Sequence, residues 1–102
     1  MVETTLSQLS GERVRYNKGT WVLTGDVSIR RNGEVLDVKA KEDSRGRGAT
    51  LRFELENKPR SVNPGNLGNL SVDLMQDDGG PMVLVHRSNG TDRYRLDAMN
   101  YT

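Results

Sequence analysis

His86 is the one histidine of a 102-residue sequence, and imidazole is the side chain best suited to moving a proton near neutral pH. A catalytic histidine works with a nucleophile and an orienting partner, and no serine elbow, cysteine or second histidine lies near it in the sequence. It reads as a strand residue with a packing or surface role. Asp77 and Asp78 before Gly79 invite a calcium reading, but the alternating oxygen ligands and closing glutamate of an EF-hand loop are missing, so acidic turn residues explain them. Glu54 and Glu56 share one strand face, a spacing a glycosidase could use, yet they stand beside Arg52 and Lys58 on a face that reads as solvated. Arg45-Gly46-Arg47-Gly48 is the best anion-binding candidate. Its glycines let backbone amides approach an oxyanion, and the Arg45 and Arg47 guanidiniums can fork onto its oxygens; the competing reading is a solvated loop. With no cysteine, thiolate metal sites, disulfides and cysteine nucleophiles drop out together. These residues predict a protein that is not an enzyme and has no metal and no cofactor.

The elements that position these residues follow from alternation. Residues 1–11 are polar and without period and read as a flexible N-terminal tail or one weak helical turn, leaving 12–102 as a single all-β domain. Val14 and Tyr16 alternate with Arg13 and Arg15 until Asn17-Lys18-Gly19 breaks the run. Trp21, Leu23, Val27 and Ile29 continue on one side of a long strand whose Gly25 suggests a bulge, and Asn32-Gly33 then marks a hairpin turn. Leu36, Val38 and Ala40 form the next run, and Ala49, Leu51, Phe53 and Leu55 the cleanest of all. Pro59, Pro64, Gly65 and Gly68 make 57–69 a long loop. Leu70, Val72 and Leu74, then Met82 to Arg87, then Tyr94, Leu96 and Ala98 complete about eight short strands, with Asn89-Gly90 as a second hairpin turn. This is an antiparallel meander. With 33% apolar and 28% charged residues the core is thin, which suits a rolled open sheet, a jelly-roll or a flattened sandwich.

Formal net charge is +1, so no long-range field steers the chain toward nucleic acid or an anionic membrane. Arginines outnumber lysines 11 to 4, which favours forked contacts to oxyanions or simple pairing with Glu and Asp across strands. A nucleic-acid surface built from Arg13, Arg15, Arg30, Arg31, Arg45 and Arg47 would lack the aromatic platform that single-strand binders use, since the chain has five aromatics in all and none clustered there. No run approaches the roughly 20 apolar residues of a membrane-spanning helix, and the start as given shows no export signal; the expected compartment is cytoplasmic unless a signal sequence was removed, as in a mature fragment behind a new Met.

The stretch from Arg13 through Tyr16-Asn17-Lys18-Gly19-Thr20-Trp21-Val22-Leu23-Thr24-Gly25-Asp26-Val27 to Ile29 resembles the repeat of the OstA-like lipopolysaccharide-transport family, the periplasmic bridge proteins. In that repeat a Tyr, a short polar turn and an apolar pair precede Leu-Thr-Gly-Asn/Asp-Val. The likeness is best over residues 13–41, and Leu96-Asp97-Ala98-Met99-Asn100-Tyr101 is similar to the segment that precedes the same repeat. The resemblance implies a rolled, open antiparallel sheet with an apolar concave face that shields acyl chains, edges that stack on like β-domains, and a periplasmic location. Trp21, Leu23, Ile29, Leu36, Val38, Leu51, Phe53, Leu55, Leu84 and Leu96, with Val72 and Leu74, are then the lipid-binding face. An unfilled groove there would gain ~0.8 kcal/mol per buried methylene of acyl lipid. The competing reading is that the same residues pack on one another as a plain core. The other function classes are a structural or adaptor β-module that self-associates through strand edges and a small arginine-based nucleic-acid binder.

Overall fold

The alternating runs become antiparallel strands in the computed structural model, which describes residues 2–5, 9–30, 33–56, 71–87 and 90–101, with backbone alone for 2–5. The strands are β1 (Val2–Thr5), β2 (Arg13–Tyr16), β3 (Gly19–Arg30), β4 (Val35–Glu42), β5 (Gly48–Leu55), β6 (Ser71–Asp77), β7 (Gly80–Arg87) and β8 (Gly90–Tyr101). Between β2 and β3 the chain reverses in two residues, Asn17 and Lys18, both at positive φ (55° and 62°), the twist that lets a tight hairpin follow its strands. Between β6 and β7, the Gly79 amide donates to Asp77 Oδ1 at 2.8 Å, an aspartate-anchored turn. The Asp77-Asp78-Gly79 segment is thus a hairpin corner. The 57–69 loop, Asn32 and Asn89 lie outside the described residues.

All eight strands belong to one sheet, ordered β1-β3-β4-β5-β8-β7-β6, with β2 also paired to β3. β1 takes Asp26–Ile29 and β2 takes Gly19–Val22, so the two short strands lie end to end along one edge of β3. The sheet then rolls until β2 packs against β7 and reaches β6. The rolled open sheet is therefore the form the chain adopts.

Two irregularities decide which side chains turn inward. Opposite Lys39 of β4, β3 carries Thr24, Gly25 and Asp26, because Leu23 faces Ala40 and Val27 faces Val38. Two residues are extra. An even insertion leaves the phase of alternation unchanged, so Trp21, Leu23, Val27 and Ile29 all remain inside, and Gly25 supplies the positive φ (92°) of the bend. In β8 the insertion is odd. Leu96 faces Phe53 and Ala98 faces Arg52, leaving Asp97 extra and handing the inward positions on to Met99 and Tyr101. Expecting Ala98 beside Tyr94 and Leu96 on one face is thus corrected by this one-residue bulge.

The interior holds Leu9, Val14, Trp21, Leu23, Val27, Ile29, Leu36, Val38, Ala40, Ala49, Leu51, Phe53, Leu55, Val72, Val83, Val85 and Tyr94, with Leu74, Leu96 and Met99 packed against them. Of the two expectations for residues 1–11, a flexible tail or one weak helical turn, the described residues carry the turn at Leu9–Gly11 and not a free tail. A turn closed by Glu12 N–H to Leu9 C=O (3.1 Å) drops its side chain into the core, and β1 upstream pairs with β3. Leu84 is likewise not on the concave face. It stands opposite Asp73 and Arg93 and is half-buried, whereas its neighbours Val83 and Val85 point inward against Leu74 and Val72.

Candidate functional site

Trp21, Leu23, Ile29, Leu36, Val38, Leu51, Phe53 and Leu55 do converge on one concave face, and Leu96 packs at its margin. Each of the eight is 6% exposed or less, because the sheet has rolled tightly enough for facing walls to fill the space between them. An acyl chain entering there would have to displace side chains whose burial each contributes about 1.5–3 kcal/mol.

Arg45 and Arg47 come together at the β4–β5 turn, both on Glu42, at 3.7 and 3.8 Å. Arg47 also lies over the Tyr101 ring at 5.3 Å, and Tyr101 meets Trp21 edge-on with ring centroids 5.5 Å apart. Glu42 offsets part of the positive charge an anion would need. The same economy runs over the outer surface: Asp37 takes both Arg30 and Arg52, Asp43 takes Arg13, Asp92 takes Arg87, and Arg95 joins Asp77 and Glu56. Asp77 is held below the ordinary carboxylate range by its hydrogen bonds from Arg95 and the Gly79 amide. The exposed pairs among them contribute ~0–1 kcal/mol each and mainly fix cross-strand register.

His86 has partners that its sequence neighbourhood does not show. In β7 it stands directly across from Ser71 of β6 and Thr91 of β8, with Nδ1 3.0 Å from Thr91 Oγ1 and Nε2 2.7 Å from Asp73 Oδ2. Register arithmetic would have found them: a turn at Asp78-Gly79 sets Asp77 opposite Gly80, and counting back brings Asp73 diagonal to His86. The trio lies on the outer face of three paired strands, with the Asp73 side chain 67% exposed. Among the described residues no group of three or more His, Cys, Asp or Glu is placed to hold a metal.

The seam is the least regular part of the sheet. Across it Gln76 of β6 uses its side-chain amide in place of a backbone one, donating through Nε2 to the Arg15 carbonyl (2.6 Å) and accepting the Arg15 N–H on Oε1 (3.3 Å). Gln76 follows Val72 and Leu74 at alternate positions, so the strand phase aims it inward at the rim, beside β2. Nothing in its sequence neighbourhood marks it, since a glutamine ahead of two aspartates reads as the polar end of a strand. Within the roll, the Tyr94 hydroxyl donates to the Gly33 carbonyl, tying β8 to the β3–β4 hairpin.

No helix among the described residues is long and apolar enough to cross a membrane. No family model, curated protein or solved structure matches the chain.

Proposed function

We propose that this domain is a non-catalytic assembly or bridge module that joins like β-domains through the strand edges at its seam. The observation that supports it is the way the sheet ends: β1 and β2 on one side and β6 on the other are the terminal strands, and a side-chain amide rather than a backbone ladder joins β2 to β6. Such an edge is the part of a sheet to which another strand adds most readily. The well-filled interior favours edges over the concave face as the working surface.

Sedimentation velocity across a concentration series tests this reading. The parent protein is expected to self-associate with rising concentration, and Gln76→Ala, which removes both seam bonds, to do so at about tenfold lower concentration, since two hydrogen bonds are worth about 1–2 kcal/mol. A strictly monomeric parent and variant would remove the proposal. Mass spectrometry of the purified protein separates the lipid-carrying form of the bridge reading, which requires a co-purifying acyl lipid or lipopolysaccharide.

A further inference from the structure

We infer that the outer face of β3–β5 carries a binding site for a small, soluble, hydroxyl-bearing phosphate ester, held by Lys39 and Lys41 with Asp26 and Thr50. The site exists because of the two-residue bulge. Where Thr24, Gly25 and Asp26 leave the β3–β4 ladder, a groove of about 450 Å³ opens between these residues and the start of β5. Gly48 stands directly opposite Lys41, so no side chain fills the groove at that position. The volume lies within the ~300–1,000 Å³ of ordinary small-molecule sites.

Most arginines of the sheet are paired with carboxylates, whereas the groove's lysines, like Arg15, Lys18 and Arg93 among the described residues, are not. Arg13, Arg30, Arg45, Arg47, Arg52, Arg87 and Arg95 each meet a carboxylate. Among the described residues Lys39 and Lys41 meet none, although both are exposed, and they project two positions apart from the same face of β4. Two ammonium groups so spaced suit the oxygens of one phosphate monoester, for which lysine serves as a point charge. Thr50 stands opposite Lys39 and offers a hydroxyl. The Thr24 hydroxyl donates to the Lys39 carbonyl at 3.0 Å, which fixes the bulge beside the lysine rather than leaving it loose. Asp26, on the bulged wall, would repel a bare phosphate but accept hydrogen bonds from hydroxyls attached to it. A lone inorganic anion therefore fits less well than a phosphorylated polyol or sugar.

The test is an amide chemical-shift titration of the whole domain with glucose 6-phosphate, with inorganic phosphate and vesicles of phosphatidylcholine and phosphatidic acid run in parallel. Saturable shifts at Thr24, Lys39, Lys41 and Thr50 are expected with glucose 6-phosphate, and weaker ones with inorganic phosphate. Lys39→Ala/Lys41→Ala should weaken the sugar phosphate about tenfold or more, whereas Lys39→Arg/Lys41→Arg should keep most of the binding. Asp26→Asn should narrow the gap between the two soluble ligands. The three substituted positions, Asp26, Lys39 and Lys41, are exposed on the sheet exterior, so the variants are expected to keep the parent's dispersed spectrum. Shifts that are absent, spread over the whole surface or unchanged in the alanine variant would overturn the site, as would binding to the vesicles alone.

Discussion

Leu9 and Tyr94 each do from a single position what the strand pattern around them does not announce. Leu9 is 1% exposed in a stretch without apolar periodicity, and its burial rests on a turn that pairs Gly11 N–H with Leu23 C=O (2.9 Å) and Leu23 N–H with Glu12 C=O (2.8 Å). Leu9→Ala is expected to cost about 2–4 kcal/mol in chemical denaturation, as removal of a core leucine does; a loss near zero would return residues 1–11 to the status of a tail. Tyr94 is buried, and that burial, partly opposed by a hydrogen bond with Arg87, holds its phenol above the ordinary value. A raised folded pKa means that the neutral phenol is the form the fold favours. Its contribution is complete below the unfolded value of about 10 and is lost as pH rises through the folded one. Tyr94→Phe should therefore cost about 1–2 kcal/mol at neutral pH through the lost bond to Gly33, and the difference from the parent should narrow above about pH 10. Thermal denaturation of both proteins across that range checks the sign.

At the scale of elements, strands were legible because alternation survives wherever backbone irregularity preserves its phase. The β3 bulge adds two residues and leaves Trp21, Leu23, Val27 and Ile29 reading as one face, so the long strand was visible with Gly25 marking its bend. The β8 bulge adds one, and Asp97 between Leu96 and Ala98 imitates regular alternation so well that the inward shift to Met99 and Tyr101 is hidden. The bulge implies an uncommon tolerance. Deleting Asp97 should leave Met99 and Tyr101 facing inward, because one residue would then oppose Arg52 where two do now. The deletion variant is expected to fold with the Trp21 emission of the parent and to lose less stability than Leu9→Ala. If it fails to fold, β8 has a different register. Leu84 escaped for another reason: Met82, Val83, Leu84 and Val85 are all apolar, so no polar neighbour marks which of them lie off the concave face.

For the whole molecule, the sequence pattern pointed to an antiparallel meander of short strands but left open whether it rolls as one sheet or folds as a jelly-roll or flattened sandwich. Closure depends on partners distant in the chain: Gln76 meets Arg15, and Tyr94 meets Gly33, each pair 61 residues apart. Neither pairing leaves a periodic trace. The candidate sites divide the same way. Arg45 and Arg47 were visible as a Gly-spaced pair, while Glu42 beside them, which offsets their charge, emerged only from the turn's geometry. Lys39 and Lys41 looked like ordinary outward residues until the bulge opened a groove beside them.

The Gln76 clasp has a final consequence for how an edge on this domain would respond to its surroundings. Because β2 and β6 are held by the same chain, any visiting strand competes with an intramolecular neighbour whose effective concentration is of the order of millimolar. A partner free in dilute solution is outcompeted by the clasp. On the proposed bridge reading, one held alongside, on a shared scaffold or in a dense array, would reach comparable local concentration and take its place, so the seam would respond to crowding by its own kind.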